Sequence, residues 1–409
     1  MSIFDAFLSN PEIQAVFEGP AVVGAMLRFE AELARAQADV GLVPGAAAEA
    51  IAACCDPALF DPAQIARDSG RAGSLAIPLV LALKARVAER HPEALPFVHL
   101  GGTSQDVIDT ALALAMREAL ALLETDLDAA IAALLDHAQA HVATPMLART
   151  LMQPASVTSF GLVCAQWAAP LLRSRERLAE VAARALQLQL GGAVGTLAQM
   201  KGQGAAVRAR LAAALQLRDP GANWHTQRDE AVALGCELGL LAGSLGKIAL
   251  DLSLLGQYEV GEVSEGSEPG RGGSSAMPHK RNPVASMVAL AAAQRAPQQV
   301  AALLAAMPQQ HQRALGPWQA ELAAWPQLWT TVQGAARAMA GALPRLQVDA
   351  ARMRAQIDRL RAELPHEAAD EWFDPALADG AADLARLLLQ ALRTRFDTLR
   401  ASTSKDVSP

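Results

Sequence analysis

The sequence predicts an all-α fold with a central bundle of long helices, and three observations carry the prediction. Ala and Leu dominate the 409 residues while aromatic residues contribute 4%, so the β-branched and aromatic runs that favour strands are scarce. Proline is absent from three long stretches, 97–144, 171–219 and 221–268. Within them apolar residues recur every three or four positions, the spacing of one helical face.

Taken in chain order, residues 1–100 read as an N-terminal helical domain. Between Pro96 and Pro145 the steps Leu112, Met116, Leu120, Leu123, Leu127, Ile131 and Leu134 mark one long amphipathic helix. Stretch 171–219 carries a similar pattern, and Leu234, Leu238, Leu241, Leu245, Ile248 and Leu252 mark a further long helix. Residues 101–345 are thus the central bundle, and 346–409 a short helical end piece whose last segment, Ala401–Pro409, reads as an unstructured tail. Gly, Pro, Ser and Asn interrupt the pattern at Leu95–Asp106, Thr144–Ser159, Leu190–Gly204 and Gly266–Pro283. Catalytic groups favour such breaks, because a rigid scaffold can hold a loop in place.

Composition narrows the function. With 35 basic and 42 acidic side chains the net charge is −7, which gives no general attraction for nucleic acid or an anionic membrane. Hydrophobic residues reach 52%, so the chain folds and its broad apolar helix faces fit burial in an oligomer. Neither a signal peptide nor a bilayer-spanning run is read from the sequence, and a cytoplasmic location is expected. Cys54, Cys55, Cys164 and Cys236 make no CxxC pair and read as small buried hydrophobes.

The chemistry is concentrated in Gly272-Gly273-Ser274-Ser275-Ala276-Met277-Pro278-His279-Lys280-Arg281-Asn282-Pro283. This Gly-rich loop offers hydroxyls, cations, an amide and backbone N–H groups in one stretch, a set suited to surrounding a polycarboxylate. Its order matches GSSxMPxKxNP, and the chain resembles the fumarase/aspartase superfamily on this motif. That resemblance implies a three-part helical fold with a long-helix bundle, no cofactor and no metal, and a homotetramer whose active sites are shared between subunits. It implies that Ser274, as an alkoxide, moves the proton next to a substrate carboxylate, and that Lys280 and Asn282 bind carboxylate. An ordinary hydroxyl cannot do this unaided, so N–H groups and cations of the loop must stabilise the anion.

The resemblance extends to other breaks. In His99-Leu100-Gly101-Gly102-Thr103-Ser104-Gln105-Asp106, Thr103 and Ser104 would donate to a substrate carboxylate, and Thr103–Asp106 also reads as a helix N-cap. His99 is either an acid/base or binding group or a hydrogen-bonded histidine that orders the turn. His225, Gln227 and Arg228 in Trp224–Asp229, and Arg313 in His311-Gln312-Arg313, lie in segments the family uses near substrate; a solvated helix end is the other reading of the two arginines. Two further features carry no site: His137 and His141 sit four apart without the Glu of HExxH and read as an exposed helix face, and Gly191-Gly192-Ala193-Val194-Gly195 is not a dinucleotide fingerprint.

Arg149-Thr150-Leu151-Met152-Gln153-Pro154-Ala155 is the informative departure. Fumarases and argininosuccinate lyases carry a histidine where Leu151 stands, and adenylosuccinate lyases one where Pro154 stands. Those enzymes expel hydroxide or an amine and benefit from a general acid. A carboxylate, with a pKa of about 4, leaves without one. Independently of that argument, the first 345 residues resemble the bacterial 3-carboxy-cis,cis-muconate cycloisomerase family, in Gly273–Pro283, Gln189–Gly192, Trp224–Asp229 and Tyr258–Val263. That similarity implies carboxylate addition across a double bond to give 4-carboxymuconolactone in protocatechuate breakdown, with Gln153 a further substrate contact. Other implied possibilities are a succinyl-type β-elimination, adenylosuccinate- or nitrosuccinate-like, and a non-catalytic superfamily member. Fewer residues follow Pro344 than the family's third domain carries, so the C-terminal domain is expected to be shortened, with one helix at Met353–Leu364 and another from Ala381.

Overall fold

The computed structural model describes residues 3–266, 270–274 and 276–405. Fourteen α-helices are found among them. The N-terminal part holds α1 (Pro11–Val16), α2 (Gly19–Ala38), α3 (Gly45–Ala53), α4 (Pro62–Ala72) and α5 (Ala76–Arg90). The bundle is built from α6 (Ser104–Ala140), α7 (Phe160–Ala185), α9 (Asp229–Leu255), α10 (Val284–Ala306) and α11 (Pro317–Ala342), with the shorter α8 (Gly204–Leu215) set between α7 and α9 in sequence. At the end stand α12 (Ala350–Glu363), α13 (His366–Phe373) and α14 (Leu377–Lys405).

The long helices form because their apolar stripes are continuous. In α6, Met116, Leu123, Leu127, Ile131 and Leu134 are all buried, as the periodicity predicts. They share a core with Leu234, Leu238, Leu241 and Leu245 of α9 and with Trp325 and Trp329 of α11. A second core joins α2, α5 and the first turns of α6 to Val207 and Leu211 of α8. A third, small one packs Ile357 and Phe373 from the end piece on Leu147 and Val157.

Several expectations are corrected. Stretch 171–219 is not one helix: α7 begins earlier, at Phe160, and runs through Pro170, and the chain leaves helix between Ala185 and Gly204. Residues Thr144–Ser159 are not an open loop but contain an antiparallel hairpin, β1 (Pro145–Thr150) with β2 (Gln153–Ser159). A second short pair, β3 (Val263–Ser264) with β4 (Gln347–Val348), ties the bundle to the end piece. The end piece has three helices, not two, and α14 continues through Ala401 to Lys405 where a tail is expected; the rest of that tail, 406–409, lies outside the described residues. His137 and His141 do not form an exposed face: they stack at 6.1 Å, half-buried, with His137 Nε2 2.8 Å from the Leu343 carbonyl. All four cysteines are unpaired, Cys54 and Cys164 buried and the other two half-buried. Among the described residues one helix, α9, is long and apolar enough to cross a membrane, and half of its most apolar window is buried inside this chain.

Candidate active site

The first cluster is assembled at the N-terminus of α6. Thr103 takes the N-cap position with extended backbone, and its N–H donates to Asp106 Oδ2 at 3.0 Å. Asp106 is fully buried and does more than cap. Its Oδ2 also accepts from Gly192 N–H, its Oδ1 accepts from Gly191 N–H, both at 2.9 Å, and Oδ1 lies 2.7 Å from His225 Nε2. One carboxylate thereby locks the helix start to the Gly191–Gly192 turn and to His225. The lock is tight, since a Cβ on Gly191 would come within 2.8 Å of the His225 ring. His225 Nδ1, the other ring nitrogen, is buried without a hydrogen-bond partner among the described residues.

Three expected site residues surround this start. Ser104 opens α6 and is half-buried. Arg313 Nη1 donates to Thr103 Oγ1 at 2.7 Å, which leaves the hydroxyl proton free to point elsewhere. His99, in left-handed backbone at φ 60°, places Nδ1 2.6 Å from Glu30 Oε1. Burial works against a charged His99, but the Glu30 carboxylate, its hydrogen bond and Asp106 outweigh burial and Lys84 and raise the imidazole above its ordinary value. Helix N-terminus, hydroxyls, guanidinium and imidazole together make an end whose chemistry suits an anion.

Arg228 and Gln227 fall outside this cluster. Arg228 is neither a ligand contact nor a solvated helix end: it is buried, with Nε and Nη2 on Glu321 and Nη1 and Nη2 on Asp109. Nη1 also reaches the Trp224 carbonyl, and the guanidinium lies 4.4 Å from the Trp224 ring centroid. Trp318 and Trp325 donate to the same two carboxylates, so every N–H of Arg228 is spent inside the protein. Gln227 is exposed and, among the described residues, donates only to Thr226 Oγ1, at 3.3 Å.

The Ser274 loop forms a separate group. Ser274 Oγ accepts N–H bonds from Met277 at 3.1 Å and Ala276 at 3.4 Å. Asn282 N–H donates to the Gly272 carbonyl at 2.8 Å, and a bridge joins Gly273 to Arg281, so the loop closes on itself as a small ring. Gly272 is required there: it has φ 69°, and a Cβ would meet the Asn282 carbonyl oxygen at 2.6 Å. Lys280 is exposed and Asn282 half-buried, while Ser275 lies outside the described residues. Glu265 anchors the stem, accepting from the N–H groups of Ala285 and Ser286 and the Ser286 hydroxyl at the start of α10.

Gln153 stands exposed at the hairpin tip, paired in register with Thr150 across the two-residue turn Leu151-Met152. Arg149, just before the turn, makes a bidentate pair with buried Glu262 at 2.7 and 3.0 Å, which ties the hairpin to the segment leading into the Ser274 loop. Hairpin and loop stem are thus at the far end of α6 from Thr103. A helix of 37 residues spans about 55 Å, so within one chain His99, Thr103, Ser104, His225 and Arg313 meet one another but not Gln153, Ser274, Lys280 or Asn282.

Sequence reading missed Glu30, Asp106, Asp109, Glu262, Glu265 and Glu321 as partners. The available signal was an acidic residue on an otherwise apolar helix face, as Glu30 is between Leu27 and Leu33 and as Asp106 and Asp109 are one turn apart. No group of three or more His, Cys, Asp or Glu side chains placed to hold a metal is found among the described residues.

Comparison with known proteins places the chain in a family. A lyase family model matches residues 6–297. The chain is 49% identical over 352 residues to the 3-carboxy-cis,cis-muconate cycloisomerase of Pseudomonas aeruginosa, covering 86% of this chain and 77% of that one. It is 40% identical to the nitrosuccinate lyase of Streptomyces davaonensis, over 97% and 86% of the two chains. The crystal structure of 3-carboxy-cis,cis-muconate lactonizing enzyme from Pseudomonas putida superposes with a TM-score of 0.87 at 38% identity, covering 97% and 99%. The chain belongs to this lyase family, the fumarase/aspartase superfamily, in the company of its 3-carboxy-cis,cis-muconate cycloisomerases.

Proposed function

We propose that the chain is a cycloisomerase that converts 3-carboxy-cis,cis-muconate to 4-carboxymuconolactone, the lactone step of protocatechuate breakdown. One observation carries the mechanism: Ser274 Oγ receives two backbone N–H bonds. Donors aimed at an oxygen favour its anionic form, so the serine can work as a base without a basic side chain beside it. In the lactone-opening direction the Ser274 alkoxide takes the proton α to a carboxylate. The electron pair moves into that carboxylate as an aci form, then returns to form the double bond as the ring carboxylate oxygen leaves. In the forward direction the carboxylate adds to the double bond and Ser274 delivers the proton. Thr103, Ser104, Gln153, Lys280, Asn282 and Arg313 would hold the substrate carboxylates and the aci form, and His99 would add a charged donor. The steps ask for proton transfer and charge stabilisation alone, so we infer a reaction without cofactor or metal.

The two groups of site residues lie at opposite ends of a helix of about 55 Å. A complete site then takes residues from several copies, which supports active sites shared between subunits; we propose a homotetramer for the assembly and the cytoplasm for its location. The test is to mix purified protein with 3-carboxy-cis,cis-muconate, follow loss of the diene absorbance and identify the product by NMR. Conversion to 4-carboxymuconolactone is expected; a folded assembly that leaves the diene intact would overturn the reading. A second reading is favoured by the match to a nitrosuccinate lyase over 97% of the chain. Nitrite, like carboxylate, departs without a proton donor, and nitrite release from nitrosuccinate distinguishes the two.

A further inference from the structure

Glu30 is the least expected group at the α6 end. It lies on the buried face of α2 among Met26, Leu27 and Leu33, with Oε1 2.6 Å from His99 Nδ1 and Oε2 buried without a hydrogen-bond partner among the described residues. A carboxylate in such surroundings is costly, and an apolar side chain would pack there without an unsatisfied oxygen. The histidine it grips is held just as deliberately. His99 has φ 60°, a conformation that side chains with a β-carbon adopt rarely. Its ring lies against Gly102, where a Cβ would approach Cε1 at 3.2 Å and Nδ1 at 3.3 Å, and Thr103 follows directly. His99 Nε2 has no hydrogen bond to a described residue, and the side chain keeps 17% exposure.

We propose that Glu30 is a positioning residue: its carboxylate fixes His99 through Nδ1 and balances a positive ring, so that Nε2–H is offered as a charged donor to a substrate carboxylate bound at Thr103 and Ser104. This rests on reading the α6 end as a polycarboxylate site. Glu30 touches no substrate and acts through the imidazole. The other groups facing the pair are Asp106 from α6, which reinforces the charge, Lys84 from α5, which opposes it, and Cys55, whose thiol is pushed well up by burial and by Glu30 and stays neutral.

The test uses full-length protein with ¹³C-labelled histidine, the His99 signal being assigned by its loss in His99→Asn. In Glu30→Gln that signal is expected to titrate at lower pH than in the parent protein. Affinity for tricarballylate, a saturated tricarboxylate read by calorimetry, is expected to fall about tenfold at a pH between the two His99 titration midpoints and to match the parent below both midpoints, where both rings are charged. The alkaline limb of kcat/KM should move to lower pH in step. If Glu30→Gln fails to assemble, Glu30→Asp, which draws the charge back by one methylene, should shift the titration less in the same direction. An unchanged His99 titration overturns the proposal, and so does a shifted titration with tricarballylate affinity and kcat/KM unmoved at every pH. Absence of muconate turnover with the expected tricarballylate pattern overturns the substrate and supports the role of Glu30.

Discussion

Ser274 Oγ is held by two peptide N–H groups, and the proposed mechanism, which makes it the proton carrier, fixes what its removal does. Ser274→Ala deletes the proposed proton carrier but leaves the Gly272–Asn282 closure and the Glu265 anchor intact. Turnover should fall by about 10³-fold, while the melting temperature moves by no more than about 2 °C because no buried contact is lost. Stopped assays and thermal denaturation check the two halves separately; near-normal turnover would mean another group moves the proton. The loop was legible because its chemistry is written contiguously, with Gly272 at a position where a Cβ has no room. Arg228 was misread for the opposite reason. Its neighbours Asp109 and Glu321 are remote in sequence, and a spacing pattern cannot tell a cation waiting for a ligand from one already neutralised by buried carboxylates.

The hairpin between α6 and α7 makes the same point for elements. Its two-residue turn puts Leu151 at φ 50° and Met152 at φ 67°, both left-handed, with Leu151 97% exposed. Such turns prefer Asn-Gly, and a side chain with a β-carbon costs about 1–2 kcal/mol per residue there. Joint Leu151→Asn and Met152→Gly replacement should therefore stabilise the fold by about 1–2 kcal/mol. If the tip walls an active site, as proposed for Gln153 beside it, the same change lowers kcat/KM, because two apolar side chains leave that wall. A thermal melt and a steady-state assay on one preparation decide it; no gain in stability would show that the strain is relieved elsewhere. The long helices were legible from periodicity, since an apolar stripe is a property of the sequence itself. The hairpin was not: its turn lacks Asn and Gly, Pro145 and Pro154 sit in its strands, and β-branched residues are few. The start of α7 was misplaced because a proline reads as a boundary, whereas Pro170 is carried inside a helix held by packing on α6, α9 and α14.

At the scale of the molecule, the chain has more apolar surface on its bundle than one copy covers. Leu240 and Leu250 on α9 and Met287 and Leu304 on α10 are about half exposed, on helices whose other faces form the main core. Helix length separates the two halves of the proposed chemistry: the anion-binding end at Thr103 and the base at Ser274 lie too far apart to meet within one chain. Shared sites then have a consequence that a single-chain site lacks. Ser274→Ala and His99→Asn should each be nearly inactive alone. When the two are unfolded together and reassembled, a site that draws His99 from one copy and Ser274 from another is intact whenever the first copy carries the serine change and the second the histidine change. Random mixing makes about a quarter of the sites wild type in every residue, so about a quarter of the parental turnover should return. Reassembly of each variant with itself is the control, and sedimentation confirms that mixed and unmixed samples have equal mass. Mixed assemblies no more active than the separate variants would mean that both residues of a site come from one chain, which the length of α6 forbids in the fold described.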